Sequence, residues 1–335
     1  MADTGIAKVQ HYVPQFLLRN FGVGKKDQLN VFDKKTEKTF KTNCKNVACE
    51  SRFYDFEIDE NKLSIEPSLS RIESKAKPII KSIIEQETLA NLSAEDRAHI
   101  SIFLAVQFTR TKHFRENFNQ IPRMLRETLY KRGFTDEQLE GVNDYITQPS
   151  ENDAAIMAAR MISEAPKDFA VHFANKVWLL AKSSSNIHFI IGDNPISLDN
   201  QLDMKPYGNL GIAVKGIEIN FPLTPKLALL MWCPSNADIF FEARKKYESI
   251  GINASKSISD TIESMTSGRP LLFSDDNVVN FNSRQIFFAE RYVFSVTNDF
   301  GLVKEMVGTD SRLRHGPRMG GGLSLVRRAI NCPRV

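Results

Sequence analysis

Eleven residues near the start of the chain, His11-Tyr12-Val13-Pro14-Gln15-Phe16-Leu17-Leu18-Arg19-Asn20-Phe21, constrain the fold more than any other stretch. Pro14 suits the first turn of a helix, where its missing N–H costs nothing, and Gly22 and Gly24 suit its end. On a helix His11, Gln15 and Arg19 share one stripe, since positions four apart lie on one face. Val13, Phe16, Leu17, Leu18 and Phe21 occupy most of the remainder, which predicts a segment buried almost all round with one polar row through it. Such a row is costly unless its groups pair with each other, with other protein groups or with a ligand. Two readings follow. The row is a structural hydrogen-bond network pinning the N-terminus, or it is a site, with His11 as metal ligand or acid/base and Arg19 gripping a carboxylate or phosphate.

Around this stretch the pattern is that of an α+β protein, predominantly helical, with a small, mostly antiparallel sheet. Gln28–Asp33 and Thr39–Thr42 form an opening hairpin about a polar turn. Leu69, Ile72, Ala76, Ile79, Ile80, Ile83 and Ile84 recur at helical spacing, with Pro78 as a kink. Ser93-Ala94-Glu95-Asp96 reads as a capping box before a long apolar helix. Helix is expected throughout 154–182, with a break near Pro166. Strands are expected at 187–191, 217–221, 227–232 and 292–296, and helices at 237–249 and 277–289. Residues 1–300 read as one compact domain and 301–335 as a basic tail.

Charge separates those two parts. The chain carries +4, whereas residues 302–335 hold seven basic groups against Glu305 and Asp310, or +5, which leaves the rest at −1. The body is therefore no basic nucleic-acid platform. A nucleic-acid partner would have to be held by the tail, through Arg312, Arg314, Arg318, Arg327, Arg328 and Arg334, with affinity falling steeply in salt. No apolar run approaches the roughly 18 residues of a membrane span and no secretory leader is visible, so a soluble cytoplasmic protein is expected. Cys44, Cys49, Cys233 and Cys332 are too few and too scattered for a disulfide scaffold or a zinc site.

Further matches to one family follow the opening stretch in order: VFDKKT (31–36), KNVACESRFYDF (45–56), FLAVQFTRT (103–111), GDNPIS (192–197), FPLTP (221–225) and NFNSRQIFFAERYVFS (280–295). With HYVPQFLLRNF, these resemble the bacterial, phage and fungal proteins grouped as domain of unknown function 4238. The resemblance covers about the first 295 residues. It implies membership of one compact domain family and brings no established activity with it.

No phosphate loop, nucleophile elbow, H-E-x-x-H or paired C-x-x-C is present. Candidate chemistry rests on scattered polar residues. Asp193, where a strand ends in Asp-Asn-Pro, is either a rim carboxylate or the cap of an Asx turn. Glu50, Asp193 and Glu218, gathered near His11, would make an oxygen-rich Mg²⁺ or Mn²⁺ site. A metal-assisted phosphodiesterase or nuclease, in a defence or toxin role, would use His11, Glu50 and Asp193 in catalysis, with Gln15, Arg19, Gln107 and Arg110 on the substrate. Arg110-Thr111-Lys112-His113 hints at ribonucleases that use an Arg and a His, although the spacing is short. The alternative is a non-enzymatic sensor or binding module for an anionic small molecule or a protein partner. There His11, Gln15, Arg19, Gln107 and Arg110 line a polar pocket.

Overall fold

The fold begins with a short strand. In the computed structural model, which describes residues 7–184, 186–202 and 209–318, β1 (Val9–His11) pairs antiparallel with β4 (Cys49–Ser51) and sets His11 opposite Cys49. The helix α1 (Gln15–Arg19) starts only after Pro14. His11 is thus the end of a strand rather than the first member of a helical stripe. Val13, Leu17, Leu18 and Phe21 are buried as the pattern predicts, Phe16 is half-buried, and Arg19 reaches solvent.

The chain then forms the hairpin β2 (Gln28–Asp33) and β3 (Lys38–Asn43). A second hairpin follows, β5 (Asp55–Ile58) with β6 (Asn61–Ser64). The helical half comprises α2 (Glu66–Gln86), α3 (Ala94–Thr109), α4 (Lys112–Asn119), α5 (Ile121–Lys131), α6 (Asp136–Leu139), α7 (Asn143–Ile146), α8 (Glu151–Asp168) and α9 (Ala170–Ala174). Pro78 lies inside α2, which runs on past it. The expected capping box opens α3: Ser93 accepts from Asp96 N–H and Asp96 accepts from Ser93 N–H. That helix is buried along most of its length and packs against α2, α8 and α9.

The expectation of helix to residue 182 fails at Val177. Val177–Ser183 is a strand, β7, lying between a parallel and an antiparallel neighbour. A short run such as Val-Trp-Leu-Leu-Ala has no periodicity to tell a buried strand from a buried helix, and here both faces are covered. A second difference concerns 187–191. Only Ile191 joins the ladder, in β8 (Ile191–Gly192). Before it Phe189 N–H donates to Pro225 O, Ile187 O accepts from Ser183, and a side chain of a later helix takes His188 O and Ile190 N–H.

β9 (Ser197–Asn200), β10 (Ile217–Pro222) and β11 (Leu227–Trp232) follow, then α10 (Pro234–Ser249), α11 (Lys256–Ser267), β12 (Leu271–Phe273), α12 (Asp275–Phe288), β13 (Tyr292–Ser295) and α13 (Gly301–Thr309). The strands sort into two main sheets, β12-β7-β11-β10-β9 and β3-β2-β13-β8, antiparallel except for β12 with β7; β9 and β12, like β7, are not among the expected strands. The result is an α+β fold richer in helix than in strand.

α12 runs alongside both sheets and satisfies irregular backbone with side chains. Asn282 donates to His188 O at 2.8 Å and accepts from Ile190 N–H at 3.0 Å. Gln285 accepts from Gly192 N–H at 3.1 Å and donates to Pro195 O at 2.9 Å. Buried loop backbone needs such partners. α13 then covers the outer face of the four-stranded sheet, where Phe300, Val303, Met306, Val307 and Leu313 pack with Phe32, Ile190, Ile286 and Val293. No described helix is long and apolar enough to cross a membrane.

Candidate functional site

Two buried polar clusters lie within this frame, and only one of them contains the predicted row. Gln15 Nε2 is 3.5 Å from His11 Nδ1, and Arg19 donates to Gln15 Oε1 at 3.0 Å. The row exists, but it runs outward: His11 is buried, Gln15 half-buried and Arg19 exposed beside Asp27. Burial lowers the His11 pKa and Arg110 lowers it further, while the backbone of Lys45 and Cys44 pulls the other way. Its Nε2 has no hydrogen-bond partner.

Arg110 is turned onto the protein itself. Its guanidinium meets Glu73 at 2.7 Å, donates to His11 O at 2.5 Å and to the Tyr54 hydroxyl at 3.3 Å, and is 2 % exposed. Gln107 donates to Tyr12 O at 2.9 Å while its own oxygen lacks a partner. These two side chains fasten the β1–α1 segment to α3, because the carbonyls they satisfy are left open where the strand ends.

The second cluster lies where several of the family-like segments meet. Glu290, between α12 and β13, is 8 % exposed. His113, in the first turn of α4, brings Nδ1 to 3.2 Å from Glu290 Oε2, and Asn117 Nδ2 lies 3.0 Å from the other ring nitrogen. With the carboxylate ionised, Nδ1 is the donor in the contact to Glu290. Burial, the largest influence on His113, lowers its pKa, while Glu290 opposes this. Arg318 grips the same carboxylate with both nitrogens, Nη1 to Oε2 at 2.7 Å and Nη2 to Oε1 at 2.5 Å. Burial alone would raise the Glu290 carboxyl; Arg318 and His113 together hold it down at about 2.

Behind this pair Lys34 is fully buried, donating to Ile286 O and Ala289 O at 2.6 Å each and so closing the C-terminal end of α12. Burial brings its amine down to about 7, against the pull of Asp193 and Glu290. Asp193 accepts from the backbone N–H groups of Glu290 (2.6 Å), Arg291 (3.0 Å) and Tyr292 (3.0 Å). It is therefore neither a rim carboxylate nor the cap of its own turn. It clamps the connection between α12 and β13, with its carboxyl raised to about 6 by burial. At the edge of the cluster Lys112 meets Glu50 at 2.5 Å, both side chains about 40 % exposed, and Arg291 forms a two-pronged pair with Asp33.

Glu218 is elsewhere, on β10 opposite Asp199 of β9, which binds Arg284 at 2.5 Å. Burial raises the Glu218 carboxyl to about 7, Asp199 adding to the effect and Arg284 opposing it. Glu50, Asp193 and Glu218 therefore do not gather around His11, and among the described residues no three His, Cys, Asp or Glu side chains gather as they would around a metal ion. Each occupies a different setting: an ion pair, a main-chain clamp and a sheet face.

A model of the family described as Protein of unknown function (DUF4238) matches residues 9–299. The chain belongs to that family. Both clusters draw on DUF4238 residues, with one exception: Arg318 lies beyond the matched span. No curated protein and no solved structure matches the chain.

Sequence reasoning missed Glu290, Lys34 and Arg318 as partners, and met His113 only as the end of a short Arg-His spacing. A signal was present. Lys34 and Glu290 each follow an apolar run directly or within one residue, Asn-Val-Phe-Asp-Lys and Ile-Phe-Phe-Ala-Glu, where a charge is hard to keep in water. The described tail arginines are paired as well, Arg312 with Asp310 and Arg314 with Glu37. Arg327, Arg328 and Arg334, on which a nucleic-acid partner for the tail would mainly rest, lie outside the described residues.

Proposed function

We propose that this chain is a non-enzymatic binding module, in which the Glu290–His113 pair receives a cationic side chain of a protein partner. One observation carries the reading. Glu290 is nine-tenths buried, ionised and fixed in orientation by His113, and both of its oxygens are committed to a planar guanidinium. A buried carboxylate with no cation opposite is expensive, so a site built in this way requires a cationic occupant. An anionic ligand is supported less well, because the cations near the cluster are already matched: Lys112 with Glu50 and Arg291 with Asp33. A metal-dependent phosphodiesterase built on His11, Glu50 and Asp193 would need donors that converge, and those side chains are engaged separately.

The test is a titration of the full chain with a fluorescent peptide copying residues 311–318, by anisotropy. Saturable binding that is lost when Gln replaces the final Arg of the peptide, and lost in Glu290→Gln, supports the module. If neither the wild type nor Arg318→Gln binds the peptide, the reading fails. So does Mg²⁺- or Mn²⁺-dependent cleavage of RNA or plasmid DNA that is abolished by Asp193→Asn.

A further inference from the structure

All the walls of the Glu290 site come from within residues 9–299, the span of the family domain: His113 and Asn117 on α4, Lys34 after β2, and Glu290 itself. What fills it comes from outside that span. After α13 the chain turns back over the four-stranded sheet, buries Leu313, pairs Arg314 with Glu37 and lays His315-Gly316-Pro317-Arg318 across the site. The fit is close. Asn117 Nδ2 donates to Pro317 O at 3.0 Å. A Cβ at Gly316 would stand 2.4 Å from His113 Nδ1 and 3.1 Å from Glu290 Oε2, so only glycine lets the backbone approach this ring. Arg318 then enters with 23 % of its side chain exposed, against 9 % for Glu290.

Resting on the binding-module reading, we infer that residues 315–318 are a built-in competitor: the appended segment occupies the site with its own arginine, and a partner presenting an arginine-bearing segment must displace it. The ligand class follows from the occupant. Two parallel N–H···O contacts to one carboxylate match a guanidinium, and a Lys ammonium offers no such fork. Regulation follows from the tether. A covalently attached occupant acts at high effective concentration, and a partner sees its intrinsic affinity reduced by the fraction of molecules whose site is vacant. Loss of the Arg318 contact raises that fraction without altering any wall of the site.

The experiment compares full-length wild type, Arg318→Gln and Gly316→Ala, each titrated with the labelled 311–318 peptide. Both variants change the occupant and neither changes a wall, and α13 with its apolar packing is retained in each. The expected result is binding at least about tenfold tighter in both variants than in wild type, with the Lys-for-Arg peptide binding weakly to all three. Equal affinities in wild type and both variants overturn the competitor while leaving the binding module standing. Absence of binding in every chain overturns the module, and the competitor with it. Equal binding of the Lys and Arg peptides overturns the guanidinium assignment.

Discussion

The two buried clusters invite comparison because each is built around an arginine, yet they close in different ways. Arg110 is surrounded by partners from the same domain, Glu73, the Tyr54 hydroxyl and the carbonyl of His11, and it sits 2 % exposed in the middle of the molecule. Arg318 is held by one carboxylate and reaches it from beyond the family domain. Burial and pairing alone make both look like sites. The origin of the partner separates them: Arg110 is matched wholly within its own domain, whereas Glu290 has His113 and Lys34 from the domain but takes its guanidinium from the appended segment.

Removing Arg110 is the harshest test of that distinction. Arg110→Ala leaves Glu73 without its cation and opens the carbonyl of His11, and a loss of about 3–5 kcal/mol in chemical denaturation is expected. A variant of near wild-type stability would show that this cluster is not scaffold, and would return it to the list of sites. Asp193→Ala comes next, because three backbone N–H groups lose their acceptor at once. About 2–4 kcal/mol is expected to disappear, whereas a stable Asp193→Ala protein would reopen a chemical role for the carboxylate.

The pH behaviour of Glu218 extends the comparison to a third, half-buried carboxyl, on the face of the five-stranded sheet. Its carboxyl, raised to about 7 by burial, contributes stability that is complete below the usual carboxylate range and is lost as pH rises through 7. Glu218→Gln is therefore expected to stabilise the protein by roughly 1–3 kcal/mol at pH 8 and to be neutral near pH 4. The same difference at both pH values would show that the group does not titrate in this way. Arg318→Gln should cost less, about 1–2 kcal/mol at neutral pH. Because the Glu290 carboxyl is held at about 2, that cost is present above the usual carboxylate range and fades as pH falls toward 2. A cost as large as that of Arg110→Ala would mark the strap as scaffold. Gln15→Ala is the mildest change. Its contacts to His11 and to exposed Arg19 are long or solvated, and a change under about 0.5 kcal/mol is expected in thermal unfolding.

Much of this protein was set locally. Periodicity placed α2, α3 and α12, Ser93 and Asp96 wrote their capping box, and Pro14 fixed where α1 begins, because helix phase, caps and proline act over a few residues. The contacts of the His11-Gln15-Arg19 row are there, although only Gln15 and Arg19 owe them to helix phase, since His11 ends a strand. What the row does was not visible. Whether His11 meets Glu50 and Asp193 depends on residues 39 and 182 positions away along the chain, and whether Arg110 faces a ligand or Glu73 on a pair 37 apart. Val177–Ser183 became a strand because a five-stranded sheet had room for it, which a short apolar run cannot announce. The Glu290 site is the extreme case: its carboxylate, imidazole and guanidinium lie 177 and 28 residues apart. Local sequence sets the conformation of each piece, but the strength of a charge pair depends on distance and burial, and only the assembled chain supplies those.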